Sequence, residues 1–173
     1  MISIIITSYK EPETIKKAIE QVLKNNIKDC EIIITAPDDE TLASAKKSYK
    51  KAILIKDNGE GKPSALNNAI KSAKGEILVL TDGDVYISNS SISCLINHFK
   101  DKKVGAVSGR PVSLNSKDKM LGYWSHVLLD MANNVRKSRS ANNEFLLCSG
   151  YLFAFRKSLF EKMPKNILDD AYI

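Results

Sequence analysis

Short apolar runs alternate along the chain with segments whose apolar residues recur at every third or fourth position. The runs are rich in isoleucine, valine and leucine, as is typical of strands that are buried on both faces. They lie at 2–7, 30–35, 52–55 and 76–81. Helical spacing follows the first run, with Pro12 in the expected first turn, and recurs at 38–51 and 62–75. This alternation predicts a Rossmann-like α/β fold, with a mostly parallel sheet flanked by helices.

The second half of the chain continues the pattern less regularly. Helical spacing from Ile92 to Phe99 predicts a helix, 104–109 predicts a strand, and 145–156 predicts a strand, a turn and a second strand. A long helical stripe separates the last two segments. It consists of Met120, Tyr123, Trp124, Val127, Leu128 and Met131. We expect this stripe to pack in the core.

The composition is that of a folded domain. The chain has 173 residues, of which 43% are hydrophobic, and this suits one domain with a sizeable core. No apolar window approaches the roughly 18 residues of a membrane span, and the N-terminus lacks the features of a secretion signal. Cys30, Cys94 and Cys148 form no C-x-x-C pair, so neither zinc nor a disulfide framework is indicated. We therefore expect reduced thiols and a cytoplasmic location.

The net charge of +6 favours negatively charged partners. Several basic residues cluster late in the chain: Arg136, Lys137, Arg139, Arg156, Lys157, Lys162 and Lys165. A basic face suits nucleic acid, anionic lipid or phosphorylated small molecules, although it is more often a solvated surface. Because the chain has no arginine-rich arm, aromatic RNA-binding box or zinc-finger spacing, we do not expect a nucleic-acid partner.

Two aspartates end the fourth predicted strand, in the sequence TDGD. Asp82 and Asp84 have no partner in the local sequence, and unpaired carboxylates are costly to desolvate. A solvated turn is one interpretation, since Asp and Gly form turns. The other is a site for Mg²⁺ or Mn²⁺, which take one or two carboxylates and complete their shell with water and phosphate. Gly83 would let a phosphate approach the backbone closely.

Polar residues also follow the other three strands, and in a parallel sheet all these loops meet at one edge. In the first loop, Ser8, Tyr9 and Glu11 suit either a nucleoside or a helix cap. In the second, one of the aspartates at 38 and 39 caps a helix or accepts the N–H of a base. The third contains GEGKPS, which is not a phosphate-binding P-loop because Lys56 stands where its first glycine belongs. Lys62 of this loop could still face a phosphate or a base.

These segments, in this order, resemble the family 2 glycosyltransferases with the GT-A fold, from Ile4 to Tyr172. TSYKEPETI is similar to the family's opening P-x-Y-N-E-x-x-x-I, and CSGYLFAFRKSLF is similar to its G-x-x-x-A-F-R-R loop. The most specific stretch is NGEGKPSALNNAIKSAKGEILVLTDGDVY, which resembles the segment that leads to the family's D-x-D. LDDAYI resembles its E-D-x-x-L motif, with Asp169 in place of the usual glutamate.

The resemblance implies a role for each matched position. Asp84, with Asp82, would hold Mn²⁺ or Mg²⁺ on the diphosphate of a nucleotide-sugar donor, and Asp82 would also reach the ribose. Ser8, Tyr9, Glu11 and Asp38 would line the nucleoside pocket, which the resemblance implies is for uridine. Lys62 would support the base or the diphosphate, and Gly150 would bring backbone near the sugar or the acceptor. Asp170 would deprotonate the acceptor hydroxyl, and direct displacement would invert the anomeric carbon.

The resemblance also implies an acceptor, which would be a saccharide or a lipid-linked group. Two other placements of the long stripe that begins at Met120 are open besides the core. It could line an acceptor channel, or it could lie on a bilayer surface. Because the chain ends at Ile173, beside the expected base, we expect residues 1–173 to be a truncated GT-A catalytic domain. Parts beyond it would then provide any peripheral association with the cytoplasmic face of a membrane.

Three functional hypotheses remain at this stage. The first is an inverting, metal-dependent hexosyltransferase that uses a UDP-sugar. The second is a nucleotidyltransferase, which would need a glycine-rich loop after the first strand, where SYKEPET has no glycine. The third is a nucleotide-binding or receiver-like module without transferase activity, in which Asp57 after the third strand would accept a phosphoryl group.

Overall fold

The computed structural model describes residues 1–142, 144 and 148–164. Within this part of the chain, one six-stranded sheet is flanked by helices. The strands are β1 (Ile2–Thr7), β2 (Cys30–Ala36), β3 (Ile53–Lys56), β4 (Ile77–Asp82), β5 (Ala106–Ser108) and β6 (Leu152–Arg156). The helices are α1 (Thr14–Lys24), α2 (Asp39–Ser48), α3 (Lys62–Ser72), α4 (Ser91–Asn97) and α5 (Met120–Ala141). Short 3-10 turns cover His98–Lys100 and Lys157–Leu159.

The strand order confirms the predicted mostly parallel sheet. Across the sheet the order is β3-β2-β1-β4-β6-β5. The first four strands are parallel, whereas β6 is antiparallel to both β4 and β5. The four parallel strands begin within one residue of their predicted starts, because short runs of β-branched residues are a strong local signal. The expected burial is wrong for β3, which lies at the edge of the sheet and is exposed or partly buried along its length.

The sheet separates two hydrophobic cores, and alternation along each strand decides which residue enters which. Ile4 and Ile6 of β1 pack with α1 on one face. Ile5, between them, packs with Leu66 and Ile70 of α3 on the other. Each such side chain contributes about 1.5–3 kcal/mol when it is fully buried. The two cores hold the strand ends in register, and the loops at those ends carry the candidate site.

Three details differ from the sequence-based expectations. Helix α1 begins at Thr14, so Pro12 lies before the helix rather than in its first turn. The strand expected at 104–109 is shorter, and β5 covers only Ala106–Ser108. Of the predicted strand, turn and strand at 145–156, the second strand is β6, whereas Cys148 and Ser149 are not in a strand. Residues 145–147 lie outside the described part of the chain.

The expected core position of the long stripe is wrong. Met120, Tyr123, Trp124, Leu128 and Met131 of α5 are all exposed, and Val127 is only partly buried. The physical reason is that α5 turns its small and polar residues inward, with Gly122 as its one buried residue. Among the described residues, no helix is long and apolar enough to cross a membrane.

Candidate active site

The carboxyl ends of β2, β1 and β4 place three polar residues in one row. Thr35, Thr7 and Asp82 are direct neighbours in the strand register. The loops that follow these strands are then joined by backbone hydrogen bonds. Ser8 N donates to Thr35 O at 3.0 Å, and Gly83 N donates to Thr7 O at 2.7 Å. The first loop and the D-x-D segment are therefore held together by the sheet itself.

The carboxylate of Asp82 is held from two sides. Thr7 Oγ1 donates a hydrogen bond to its Oδ1 at 2.6 Å. Lys62 Nζ lies 2.8 Å from Oδ1 and 3.0 Å from Oδ2. The two side chains are 34% and 26% exposed, so this is a partly buried pair. The sequence predicted that the third loop and the D-x-D segment meet at one edge of the sheet, but it did not predict that Lys62, the first residue of α3, pairs with Asp82.

Close packing explains the glycine between the two aspartates. A Cβ atom at Gly83 would lie 2.5 Å from Ser8 Oγ and 2.9 Å from Glu11 Oε2. Ser8 is buried and donates a hydrogen bond to Glu11 Oε2 at 2.7 Å, so neither neighbour is free to move far. Only glycine fits between the first loop and the D-x-D segment.

Asp84 differs from Asp82 in its surroundings. It is exposed, and within residues 1–142, 144 and 148–164 no side chain or backbone N–H bonds to its carboxylate. The same part of the chain contains no group of three or more His, Cys, Asp or Glu that could hold a metal ion. Two carboxylates one residue apart nevertheless suit Mg²⁺ or Mn²⁺, because these ions complete their shell with water and phosphate oxygens. The donor set therefore fits a cation that arrives with a phosphorylated ligand.

A cleft of about 880 Å³ opens beside Asp84. Its walls come from the segment after β4, from α4, from the segment after β5 and from one side of α5. Tyr86 and Tyr151 provide aromatic surface, and Ser108, Asn115 and Ser125 provide neutral polar groups. The cleft is large enough for a small-molecule ligand.

Asp38 joins the first and second loops. It caps α2, with Oδ1 accepting from Thr41 N at 2.8 Å, while Oδ2 accepts from Lys10 N at 3.0 Å. Partial burial by itself raises the pKa of the Asp38 carboxyl, but the hydrogen bonds from Thr41 and Lys10 outweigh it and hold the pKa below its ordinary value. Asp39 instead forms an exposed ion pair with Lys56. Of the two aspartates, Asp38 is the one that shapes the loop carrying Tyr9.

Tyr9 is 63% exposed at the tip of the first loop. The following residue, Lys10, has a φ of 56°, a left-handed conformation that is uncommon outside glycine. The hydrogen bond from Lys10 N to Asp38 holds this turn. The ring of Tyr9 is therefore presented to solvent on a constrained backbone, where it can stack on a ligand.

A buried aspartate shapes the third loop. Asp57 is only 7% exposed and accepts hydrogen bonds from Thr35 Oγ1 at 3.1 Å and from Gly59 N at 2.8 Å. The positive φ angles of Gly59 and Gly61, 69° and 97°, let the loop turn back into α3. Because its side chain is buried, Asp57 positions the loop that carries Lys62 and does not suit the exposed phosphoacceptor of a receiver-like module.

Three threonines that shape the site, at positions 7, 35 and 41, were not predicted from the sequence. Thr7 is the last residue of β1, and Thr35 is the last but one of β2. Thr41 lies fully buried in α2, where its Oγ1 accepts from Glu11 N at 2.9 Å. Strand register could have identified them. If β1 and β4 are parallel neighbours, a polar residue at the end of one strand lies beside the end of the other. That pairing was not predicted.

The loop before β6 closes the far side of the site. Thr81 Oγ1 donates to Tyr151 O at 3.0 Å, and Ser149 N donates to Ser108 Oγ at 2.7 Å. Gly150 lies between these two attachments, next to the end of β4. Asp169 and Asp170, which the sequence suggested for the acceptor side, lie outside the described residues.

The family model for glycosyl transferase family 2 matches residues 3–163. The poly-β-1,6-N-acetyl-D-glucosamine synthase of Staphylococcus epidermidis is 29% identical to this chain over 164 residues. A synthase of the same name from Staphylococcus aureus is 28% identical over 169 residues. Each match covers 91% of this chain but 40% of the relative, so the chain spans well under half of the curated relatives it matches.

Solved structures show the same fold. A mannosyltransferase from Pyrobaculum calidifontis, in complex with GDP-Man and Mn²⁺, has a TM-score of 0.77 and 22% identity over 96% of this chain and 48% of its own. A glucosyl-3-phosphoglycerate synthase from Mycobacterium tuberculosis, in complex with Mn²⁺, UDP and glucosyl-3-phosphoglycerate, has a TM-score of 0.61 and 19% identity over 92% of this chain and 57% of its own. The fold of this chain is thus of the GT-A type.

Proposed function

The chain belongs to glycosyl transferase family 2, and from this premise we propose that it transfers a sugar from a nucleotide-diphospho-sugar to an acceptor hydroxyl. One observation supports the proposal most directly. At the end of β4, Asp82 is held by Thr7 and Lys62, whereas Asp84 is exposed beside a cleft. A metal-bound diphosphate is usually held through one or two carboxylates, and the end of β4 offers two.

We propose that the donor is a UDP-sugar. Tyr9 would stack on the base, and Ser8, Glu11 and Asp38 of the first two loops would line the nucleoside pocket. Lys62 would face the diphosphate or the base from the third loop. UDP-N-acetylglucosamine is the first candidate, since the curated relatives are named for polymers of N-acetylglucosamine, and the S. aureus protein TarS was crystallised with this sugar nucleotide.

We propose that Mn²⁺ or Mg²⁺ is held by Asp84 together with Asp82. When bound, such an ion stabilises the negative charge of a departing diphosphate. The residues of the chain prepare the site for it: Thr7 and Lys62 orient the Asp82 carboxylate, and Gly83 keeps the backbone close to the first loop. Asp84, with no partner among the described residues, is available to the cation.

The acceptor side of the proposal rests on the cleft beside Asp84. Its tyrosines and neutral polar groups suit a saccharide, whether free or lipid-linked. Gly150 would bring backbone close to the transferred sugar, and Asp170 would take the proton from the attacking hydroxyl. Attack from the side opposite the diphosphate would invert the anomeric carbon. We also propose that parts of a longer chain would associate peripherally with the cytoplasmic face of a membrane.

Calorimetric titration tests the donor site directly. UDP-N-acetylglucosamine is titrated into the chain with Mn²⁺ and again with EDTA, and GDP-mannose serves as the comparison because a GT-A neighbour was solved with it. We expect saturable binding of the UDP-sugar only with Mn²⁺. Binding of GDP-mannose alone would overturn the choice of uridine, and the absence of any metal-dependent nucleotide-sugar binding would overturn the donor site.

A further inference from the structure

Tyr86 is held between helix α1 and the cleft beside Asp84. It follows this aspartate by two positions, lines the cleft and is 37% exposed. Lys17 of α1 covers one face of its ring, with Nζ 4.2 Å from the ring centre, where a positive charge is attracted to the π electrons. Lys17 is not one of the residues that line the cleft, so it supports the ring from the other side.

The backbone that follows Tyr86 is attached to the same helix. Ile87 is only 5% exposed and belongs to the core that also contains the buried side of α1. Asn25, the residue after α1, is 8% exposed. Its Nδ2 donates to Ser88 O at 3.3 Å, and its Oδ1 accepts from Ile92 N at 3.0 Å. The ring therefore cannot turn away from the cleft wall without breaking several contacts.

A fixed aromatic ring at the wall of a polar cleft suits a pyranose. The C–H bonds on one face of a sugar ring pack against the face of an aromatic side chain, while its hydroxyl groups bond to polar neighbours. The cleft supplies such neighbours in Ser108, Asn115 and Ser125. Because the tyrosine is already ordered, little conformational entropy is lost when a ligand stacks on it.

We propose that Tyr86 is the residue on which the acceptor sugar stacks, and that Lys17 is the residue that positions its ring. This inference rests on the proposed function, which assigns the cleft to the acceptor. The short distance along the chain from Asp84 to Tyr86 would set the stacked sugar beside the metal-bound diphosphate, where the transferred sugar is attached. Lys17 acts through the ring and does not touch the acceptor.

Binding of diacetylchitobiose, a disaccharide of N-acetylglucosamine, tests the stacking residue. This probe is chosen because the curated relatives are named for polymers of that sugar. Its dissociation constant is measured by nuclear magnetic resonance with UDP and Mn²⁺ at saturation, so that it cannot occupy the donor pocket. We expect Tyr86→Leu to weaken binding about tenfold and Tyr86→Phe, which keeps the ring, to bind normally. Tyr123→Leu is the matched control, since Tyr123 is exposed but does not line the cleft.

The positioning role of Lys17 is tested in the same assay. Lys17→Met should weaken binding of the disaccharide about twofold to fivefold, as expected for the loss of one exposed cation–π contact. Lys16→Met removes the neighbouring exposed lysine and should have no effect. Normal binding by Lys17→Met would overturn its role.

Binding of UDP with Mn²⁺ separates this inference from the proposed function. We expect the UDP affinity to be the same in all these variants, with circular dichroism confirming that each one folds. Three results would overturn the stacking role while leaving the donor site in place. They are normal disaccharide binding by Tyr86→Leu, equal weakening of UDP and disaccharide binding by that variant, and no disaccharide binding by an unsubstituted chain that binds UDP. An unsubstituted chain that does not bind UDP would overturn the proposed function, together with the inference that rests on it.

Discussion

Lys62 Nζ lies 2.8 Å from Asp82 Oδ1, and this contact ties the loop after β3 to the end of β4. The two residues are far apart in the sequence, and each comes from a segment whose polar groups were candidates for the same site. Thr7 also donates a hydrogen bond to Asp82, so the carboxylate would keep one partner if Lys62 turned towards a ligand. We therefore expect Lys62 to contact the donor as well as the aspartate.

Replacing Lys62 tests its role on the donor. We expect Lys62→Met to weaken binding of UDP with Mn²⁺ about tenfold to a hundredfold, since one charge-assisted hydrogen bond contributes about 1.5–3 kcal/mol. Stability should change by less than about 1 kcal/mol, because the pair is partly exposed. Calorimetry measures the first effect and urea denaturation the second. The matched control is Lys56→Met, which breaks the exposed pair with Asp39 and should leave nucleotide binding unchanged.

Asp38 should make stability depend on pH in the acid range. Its pKa in the folded chain lies below the ordinary value, so its stabilising effect is fully present above that ordinary value and is lost as the pH falls through the lower, folded value. At neutral pH we expect Asp38→Ala to cost about 0.5–2 kcal/mol, as for other helix caps. Urea denaturation at several pH values should show this cost shrinking towards acid pH.

The control for Asp38 is its neighbour. Asp39→Ala removes only an exposed ion pair with Lys56 and should cost under about 1 kcal/mol. If both substitutions had the same cost at every pH, the hydrogen bonds from Thr41 and Lys10 would not stabilise the charged form of Asp38.

Gly83→Ala should destabilise the chain by about 1–3 kcal/mol, the usual cost of forcing atoms into a packed site. The added methyl would overlap Ser8 Oγ and Cβ and approach Glu11 Oε2. Ser8→Gly removes the two closest of these atoms, so the double variant should be less destabilised than the sum of the single variants. Urea denaturation of all four proteins measures this coupling. Additive effects would mean that the Gly83 contact with Ser8 is not what requires glycine.

The sequence predicted the parallel strands well because buried β-branched runs such as 30–35 leave few alternatives. It predicted less about the site, since hydrogen bonds such as Thr7 to Asp82 depend on strand order, which periodicity does not encode. The sequence located helix α5 correctly, but the prediction that its apolar stripe packs in the core was wrong. Helical spacing shows that Trp124 and Leu128 share a face, but not whether that face meets the core or solvent.

Asp84 should be required for the metal and dispensable for the fold. It is exposed and has no partner among the described residues, so we expect Asp84→Asn to change the free energy of unfolding by less than about 0.5 kcal/mol. Binding of UDP in the presence of Mn²⁺ should nevertheless weaken at least tenfold, because the amide is a poorer ligand for a hard cation. Binding of Mn²⁺ in the presence of UDP, followed by electron paramagnetic resonance, measures the metal separately. Glu20→Gln, an exposed carboxylate on α1, is the matched control and should bind both ligands normally. Normal Mn²⁺ binding by Asp84→Asn would contradict the assignment of this aspartate to the metal, while leaving the donor pocket of the first two loops intact.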